Sequence, residues 1–265
     1  MVVLVMTGGG AKAFVHLGVY HVLQENGIKV DHIVSTSSGS LMAVLVAAGV
    51  SNRKIKKEFF SLRRRLSWFL PSLKQFGFFS MTPLKKVIDR LVPVERLEDL
   101  PIPVTLVASN ITKLCDHIIT KGKIADAVCT TSAYPLLYKP VKYRGDLLID
   151  GGILNSEPAD IAKKLNKGKV ITISLTSPFD RKEGSLPNRM EIVYRSLFYY
   201  SEMSRRYNAD KYSDIILYPL KNKWYCLDTW KGIFEFYNKK AMKKYYQLGR
   251  KEASENLDII RKVLK

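Results

Sequence analysis

Three short segments carry residue types that can do chemistry together. The first is Ser35-Thr36-Ser37-Ser38-Gly39, which follows the apolar pair Ile33-Val34 and leads into a run of small residues. A strand, a sharp turn and a helix form the setting of a nucleophile elbow, whose usual pattern is G-x-S-x-G. Such a turn holds a serine hydroxyl clear of the sheet at the start of the next helix, and it needs small residues two places before and after the nucleophile. Gly39 meets that need after Ser37; Ser35, although not glycine, is small. With Ser38 as nucleophile the second position would fall on Ser40, so Ser37 is the expected nucleophile. Serine-rich turns between strand and helix also occur without catalytic work, so this segment alone leaves both readings open.

The second segment is Gly8-Gly9-Gly10-Ala11, directly after the apolar run Val2–Met6. Successive glycines let backbone N–H groups converge on one oxygen, and the start of the following helix adds positive potential. The result is an oxyanion hole, a phosphate cradle, or a plain tight turn. A P-loop is excluded because Lys12 is not followed by Ser or Thr and the G-x-x-x-x-G-K spacing is absent. A dinucleotide fingerprint fails because its third glycine would fall on Ala13.

The third segment answers which group activates the serine. An α/β-hydrolase triad places an acid and then a histidine after the serine. The histidines are His16, His21, His32 and His117, and none follows His117. Asp150 stands at the end of the apolar stretch Leu147-Leu148-Ile149 and is followed by Gly151-Gly152. Active groups in parallel sheets sit at strand ends, and a partly buried carboxylate there has a raised pKa and can take a proton from a hydroxyl. Asp-Gly-Gly is equally a common turn. His16, on the first helix, reads as a packing or hydrogen-bonding histidine rather than a base.

The elements that must position these groups are legible in outline. Val2–Met6 predicts a strand and Ala11 to about Glu25 a helix, with Phe14, Leu17, Val22 and Leu23 on one face and Gly27 as its stop. Ile33-Val34 predicts a second strand ending at Ser35, and Gly39 to Ala48 a small-residue helix. This β-α-β-α order implies parallel strands with crossover helices. Further strands are expected at Val104–Ser109, Leu147–Ile149, Lys169–Leu175, which a loop through Pro187 follows, and Ile215–Tyr218. Helices are expected at about Met190–Tyr207 and Lys239–Lys251, followed by a frayed tail.

The chain has 265 residues, 46% of them hydrophobic, enough for one large α/β domain or at most two smaller ones. No apolar run is long enough to predict a membrane-spanning helix. The first residues lack the charged start and cleavage site of a secretion signal. Cys115, Cys129 and Cys226 are scattered and odd in number, which disfavours metal or disulfide frameworks and fits a reducing compartment. The net charge is +19, a field that attracts polyanions of any kind and is also what a generally basic proteome would produce.

Taken in order, these segments resemble the patatin-like phospholipase family. Gly8-Gly9-Gly10-Ala11-Lys12-Ala13 with His16-Leu17-Gly18-Val19 is similar to its glycine-rich oxyanion segment, and Ser35–Ser40 to its elbow. Thr131-Ser132-Ala133-Tyr134-Pro135, Lys139-Pro140, Asp150-Gly151-Gly152, Asn155 and Pro158 are similar to the stretch holding its catalytic aspartate. Lys12 and Ala13 stand where arginine and glycine are usual, and Ser35 where the elbow has glycine. The resemblance implies a single three-layer α/β/α domain over residues 1–265 with a mostly parallel central sheet. Within it lie a basic and aromatic insertion at about 53–81 and a basic helical part at about 220–265. It implies a histidine-free dyad of Ser37 and Asp150 and an oxyanion hole from Gly8, Gly9, Gly10 and Ala11. Lys12, Gly39, Gly151 and Gly152 are then supporting residues. No cofactor or metal is expected. The implied substrate is a phospholipid or another acyl-ester lipid, cleaved by double displacement.

Residues 51–90 hold eleven basic and two acidic side chains, and Trp68, Phe69, Phe76, Phe78, Phe79 and Met81 follow the basic run 53–65. That mixture suits an anionic membrane interface, or a solvated helix followed by a segment capping the core. The expected location is cytoplasmic, with peripheral membrane contact. Two rivals remain: a non-catalytic lipid-binding protein on the same fold, and a nucleic-acid-binding protein, which charge alone suggests and no motif supports.

Overall fold

Val2–Met6 is five consecutive apolar residues, all buried. Only a strand covered on both faces can use such a run, and this one forms the middle of the sheet. The computed structural model of the chain describes residues 1–59, 79–135, 137–165, 168–175, 192, 196, 203, 207–220 and 238–265. In chain order its elements are β1 (Val2–Met6), a 3₁₀ turn (Gly10–Ala13), α1 (Phe14–Glu25), β2 (His32–Thr36), α2 (Ser38–Ala47), α3 (Asn52–Phe59) and α4 (Thr82–Leu91). Then come β3 (Val104–Asn110), β4 (Cys115–Ile119), α5 (Ile124–Thr131), β5 (Val141–Tyr143), β6 (Asp146–Asp150), α6 (Ala159–Leu165) and β7 (Lys169–Ile173). The last are β8 (Ile215–Leu217), α7 (Lys239–Glu255) and α8 (Leu257–Leu264).

The strands form one mixed sheet in the order β5-β6-β3-β2-β1-β7-β8, with β4 also paired to β3. Pairs β3–β2, β2–β1, β1–β7 and β7–β8 are parallel; β4 and β6 run antiparallel to β3, and β5 antiparallel to β6. Alternate residues divide between two cores. Leu4, Met6, Ile33, Leu106, Ile171 and Ile173 pack with α1 and α2 on one face. Val3, Val5, Val34, Val107 and Val170 pack with Ala159, Ile161 and Ala162 of α6 on the other. Helices on both faces of a mostly parallel sheet give the three layers.

One edge of β3 determines where the site lies. β2 pairs with Val104 to Val107, and β4 pairs with Leu106 to Asn110. Because both reach Leu106 and Val107, they occupy opposite edges. β6 pairs with Ala108 to Asn110, where β4 also pairs, so β6 lies on the β2 edge. β2 and β6 therefore share that edge and run toward each other, β2 ending at Thr36 and β6 at Asp150.

Several elements differ from expectation. Residues 10–13 are a 3₁₀ turn, and the helix proper begins at Phe14. That helix buries Phe14, Leu17, Val22 and Leu23 as expected, but also Val15, His16, Gly18 and Val19. The reason is that α7 covers the side turned away from the sheet. A Cβ on Gly18 would sit 2.1 Å from the Tyr246 carbonyl, and one on Gly249 would sit 2.1 Å from that of Val15, so the two helices touch backbone to backbone. The tail is not frayed: α8 buries Ile260. The expected loop through Pro187 and most of the expected Met190–Tyr207 helix lie outside the described residues. So do Cys226, residues 60–78 of the basic and aromatic stretch, and residues 221–237 of the basic C-terminal part.

Gly18→Val and Gly249→Val are expected to lower stability by about 1–3 kcal/mol or more each, because close-packed backbone has no room for three carbons. A lowered urea midpoint, with the exposed Gln247→Ala unchanged, is the check.

Candidate active site

The second strand ends at Thr36, and the chain turns at once into α2. Ser37 makes the turn with φ 54° and ψ −135°, a left-handed conformation that costs a non-glycine residue about 1–3 kcal/mol. Three contacts hold it there. The Ser37 N–H donates to Thr131 Oγ1 at 3.0 Å, Thr131 Oγ1 in turn donates to the Val107 carbonyl, and the Ser37 carbonyl accepts from Ser40 N–H at 2.9 Å. Gly39 is required by proximity, since a Cβ there would lie 2.4 Å from the Met6 carbonyl. Ser35 is fully buried, and its hydroxyl donates to Ser40 Oγ at 3.2 Å, so the side chain at the usual glycine position is absorbed within the elbow.

Asp150 closes the gap from the other direction. Its Oδ2 accepts the Ser37 hydroxyl at 2.6 Å, and its Oδ1 accepts the Gly152 N–H at 2.8 Å. Its own N–H donates to the Ala133 carbonyl at 3.0 Å. The carboxyl is 1% exposed. Burial raises its pKa to about 7, against the opposing effect of the hydrogen bonds from Ser37 and Gly152. Gly151 is buried against the Val107 carbonyl, and Thr36 Oγ1 donates to that carbonyl or to Asn155 O, each at 3.3 Å.

The glycine turn lies against the serine. A Cβ on Gly8 would be 2.8 Å from Ser37 Cβ and 3.3 Å from its Oγ. Gly10 has φ 61°, and the Gly9 N–H donates to Ser38 Oγ at 3.1 Å. Gly8 is thus placed beside Ser37 and Gly9 beside Ser38, which grips the turn, and Gly10 and Ala11 continue from them into the 3₁₀ turn. Lys12 closes the 3₁₀ turn, its N–H donating to the Gly9 carbonyl at 3.2 Å.

The histidines have other partners. His16 is fully buried, its Nε2–H donates to the Thr7 carbonyl at 2.8 Å, and burial lowers its pKa to about 4. It is a neutral hydrogen-bonding histidine. His21 meets Tyr246, His32 meets Thr105 and His117 packs on Tyr143. Among the described residues the hydrogen-bond partner of Ser37 Oγ is Asp150. Residue-by-residue reading gave no role to Thr131 or Ser38. Thr131 had a signal only in its place within the Thr131–Pro135 segment, at the C-terminal end of α5.

A serine on a strand-to-helix elbow, bonded to a buried carboxyl beside a glycine turn, on a three-layer α/β/α sheet, defines a class of serine hydrolase-like sites without histidine. The family model for patatin-like phospholipases matches residues 4–163, and the chain belongs to that family. It is 30% identical over 186 residues to the neuropathy target esterase sws of Drosophila melanogaster, a match covering 67% of this chain and 13% of that one. It is 31% identical over 185 residues to human patatin-like phospholipase domain-containing protein 6, covering 66% of this chain and 13% of that one. The chain thus matches only about an eighth of the length of these relatives. In fold it is similar to VipD from Legionella pneumophila, with a TM-score of 0.51 at 15% identity over 97% of this chain and 66% of that one.

The raised pKa of Asp150 sets a pH dependence. If the carboxylate must take the Ser37 proton, labelling of Ser37 by a fluorophosphonate should rise about tenfold per pH unit below about 7 and level off above it. The native state also holds a proton that an unfolded aspartate, at 3.8, releases. This group's contribution to stability therefore falls as pH rises from about 4 to about 7. Asp150→Asn should remove both dependences, read by labelling rate and urea midpoint.

Proposed function

We propose that the chain is a serine acyl hydrolase acting on fatty-acyl esters of phospholipids or related lipids. The observation that carries this is the Ser37 hydroxyl donating at 2.6 Å to a carboxyl that is 1% exposed, beside the glycine turn. Asp150 takes the Ser37 proton as Oγ attacks the ester carbonyl. With the Gly9 N–H engaged by Ser38, backbone N–H groups of the Gly10–Ala11 part of the turn stabilise the oxyanion, roughly a hundred- to a thousandfold in rate per donor. The tetrahedral adduct collapses, the leaving alcohol takes the proton back from Asp150, and Ser37 remains acylated. Water then gives its proton to Asp150 as its oxygen attacks the acyl carbonyl, and that proton passes to Ser37 Oγ as the acyl–serine bond breaks and the fatty acid leaves. Family membership supports the lipid ester as substrate, and the word esterase in a relative's name supports the bond broken.

Lipid esters are met at surfaces. Among the described residues no helix is long and apolar enough to cross a membrane; we assign surface contact to exposed basic residues. The two basic stretches of the sequence adjoin: Lys56 Nζ lies 4.1 Å from the Tyr246 ring centre, and Asn52 Nδ2 donates to Tyr246 Oη at 3.1 Å. Arg53, Lys54 and Lys57 of α3 and Lys239, Lys240 and Lys244 of α7 are exposed around this contact. Glu58, the acid of α3, is buried and paired with Arg90.

Ser37→Ala and Asp150→Asn are expected to lower ester hydrolysis by a thousandfold or so, on the scale of a lost nucleophile or base. Ser38→Ala should keep fluorophosphonate labelling at a rate reduced about tenfold, because it frees the Gly9 N–H from its anchor. Retained hydrolysis in folded Ser37→Ala would end the assignment.

For the charge, Ser37→Ala protein should bind phosphatidylserine-containing vesicles in a salt-weakened manner, at up to about 1 kcal/mol per contacting cation. Charge reversal of Lys54, Lys57, Lys240 and Lys244 should markedly reduce the salt dependence. Co-sedimentation over a salt series measures it.

A further inference from the structure

Three non-glycine residues among those described have left-handed backbone: Ser37, Leu114 at φ 53° and Arg144 at φ 47°. The first is explained by the elbow. The other two stand at the tips of neighbouring hairpin turns, where glycine would remove the strain. Strain kept at a residue points to a use for its side chain.

The two turns lie at the Ser37 end of the sheet. β3 continues from Val107, where its pairing with β2 stops, to Asn110, about 10 Å further at the rise of a strand. Beyond it the Ile111–Leu114 turn joins β4, and Arg144–Gly145 joins β5 to β6. The turns are fastened together. Ile111 N–H donates to the Leu147 carbonyl at 3.0 Å, Leu147 N–H to Thr112 Oγ1 at 2.9 Å, and Lys113 Nζ pairs with Asp146 Oδ2 at 2.8 Å. The double tip is therefore a rigid projection.

Its surface is apolar with a basic rim. Leu114 is 79% exposed, and Ile111, Tyr143 and Leu147 are exposed beside it. Lys113, Lys142 and Arg144 are exposed at the same two tips, Arg144 over the Tyr143 ring, and the neighbouring Asp146 is engaged by both Lys113 and Asn110. Scattered single exposed side chains need no explanation, but a cluster on a strained, braced projection does. Apolar residues at the centre with Lys and Arg at the margin is the arrangement that suits an anionic bilayer surface: the former reach the acyl boundary and the latter the headgroups.

We propose that the paired β3–β4 and β5–β6 tips dip into an anionic lipid surface, with Leu114 as the leading side chain, and so bring the Ser37 end of the sheet to its substrate. This rests on the lipid-ester reading of the site. It assigns the short-range contact to a place distinct from the basic α3 and α7 surface, whose attraction acts at a distance.

The test uses the full chain with Ser37→Ala, so that binding is read without hydrolysis, and flotation with vesicles of phosphatidylcholine alone or with phosphatidylserine. Leu114→Gly should raise the thermal midpoint by relieving strain while weakening binding to both vesicle types about tenfold. Leu114→Asp should weaken it further. On the Ser37 background, Leu114→Gly should hydrolyse a soluble short-chain ester within about twofold of the parent and vesicular phospholipid about tenfold more slowly. Leu114 variants that bind vesicles as tightly as the parent would overturn the proposal, as would a parent that binds no vesicles. Tip-dependent binding by a protein whose Ser37 proves unreactive would instead remove the catalytic reading and leave the lipid contact standing.

Discussion

The site depends on a break in one ladder of hydrogen bonds. Along a single edge of β3 two strands arrive from opposite directions, β2 pairing as far as Val107 and β6 from Ala108. Neither can continue without colliding with the other, so both chains must leave the sheet at the same level. One leaves through the Ser37 elbow into α2, the other through Asp150 into a 3₁₀ turn. Side chains take over what the ladder cannot supply at the junction. The Val107 carbonyl accepts from Thr131 Oγ1 and Thr36 Oγ1, and the Ser37 N–H is satisfied by Thr131. The meeting of serine and carboxyl is thus built into the topology, and the threonines make it tolerable to buried backbone.

The same junction sets the electrostatics. A carboxyl driven into the sheet by the end of a strand loses its water, and two hydrogen bonds replace only part of it, so its proton affinity rises to about 7. In the proposed mechanism that value suits a general base, so that no imidazole would be needed between acid and serine. His16 shows the complementary effect. Burial lowers its pKa to about 4, leaving it a neutral donor to the Thr7 carbonyl next to the glycine turn.

Much of this was legible because it is local. An elbow needs small residues around a serine, a close approach of backbone needs glycine, and an aspartate after an apolar stretch marks a strand end; each is written in a few adjacent letters. What was not legible depends on partners far along the chain. The unbroken apolar run of β1 shows two buried faces, but nothing in it reveals that β6 runs against β3 on the β2 edge. β4 and β5 escaped because Cys115–Ile119 lacks strand periodicity and Val141–Tyr143 is three residues long. The role of Thr131 follows only from β6 and α5 converging on Val107. The all-round burial of α1 required α7, more than two hundred residues later, to lay Gly249 against Val15.

β3 links chemistry to surface. Its first half aligns β2 and so fixes Ser37; the next residues align β6 and fix Asp150; its end carries the turn that supports Leu114. A strand is stiff along its length, and antiparallel pairing to β4 and β6 on both edges stiffens this part further. Force applied at the tip by a lipid surface would reach Val107 with little bending, and Val107 is where the Ser37 and Asp150 turns are both anchored. Within the proposed function, position relative to the surface and alignment of Ser37 with Asp150 are then not separate design problems. An enzyme whose substrate lies in an aggregate must hold its reacting atoms at a set depth, and a continuous strand from interface to elbow provides that depth without a hinge.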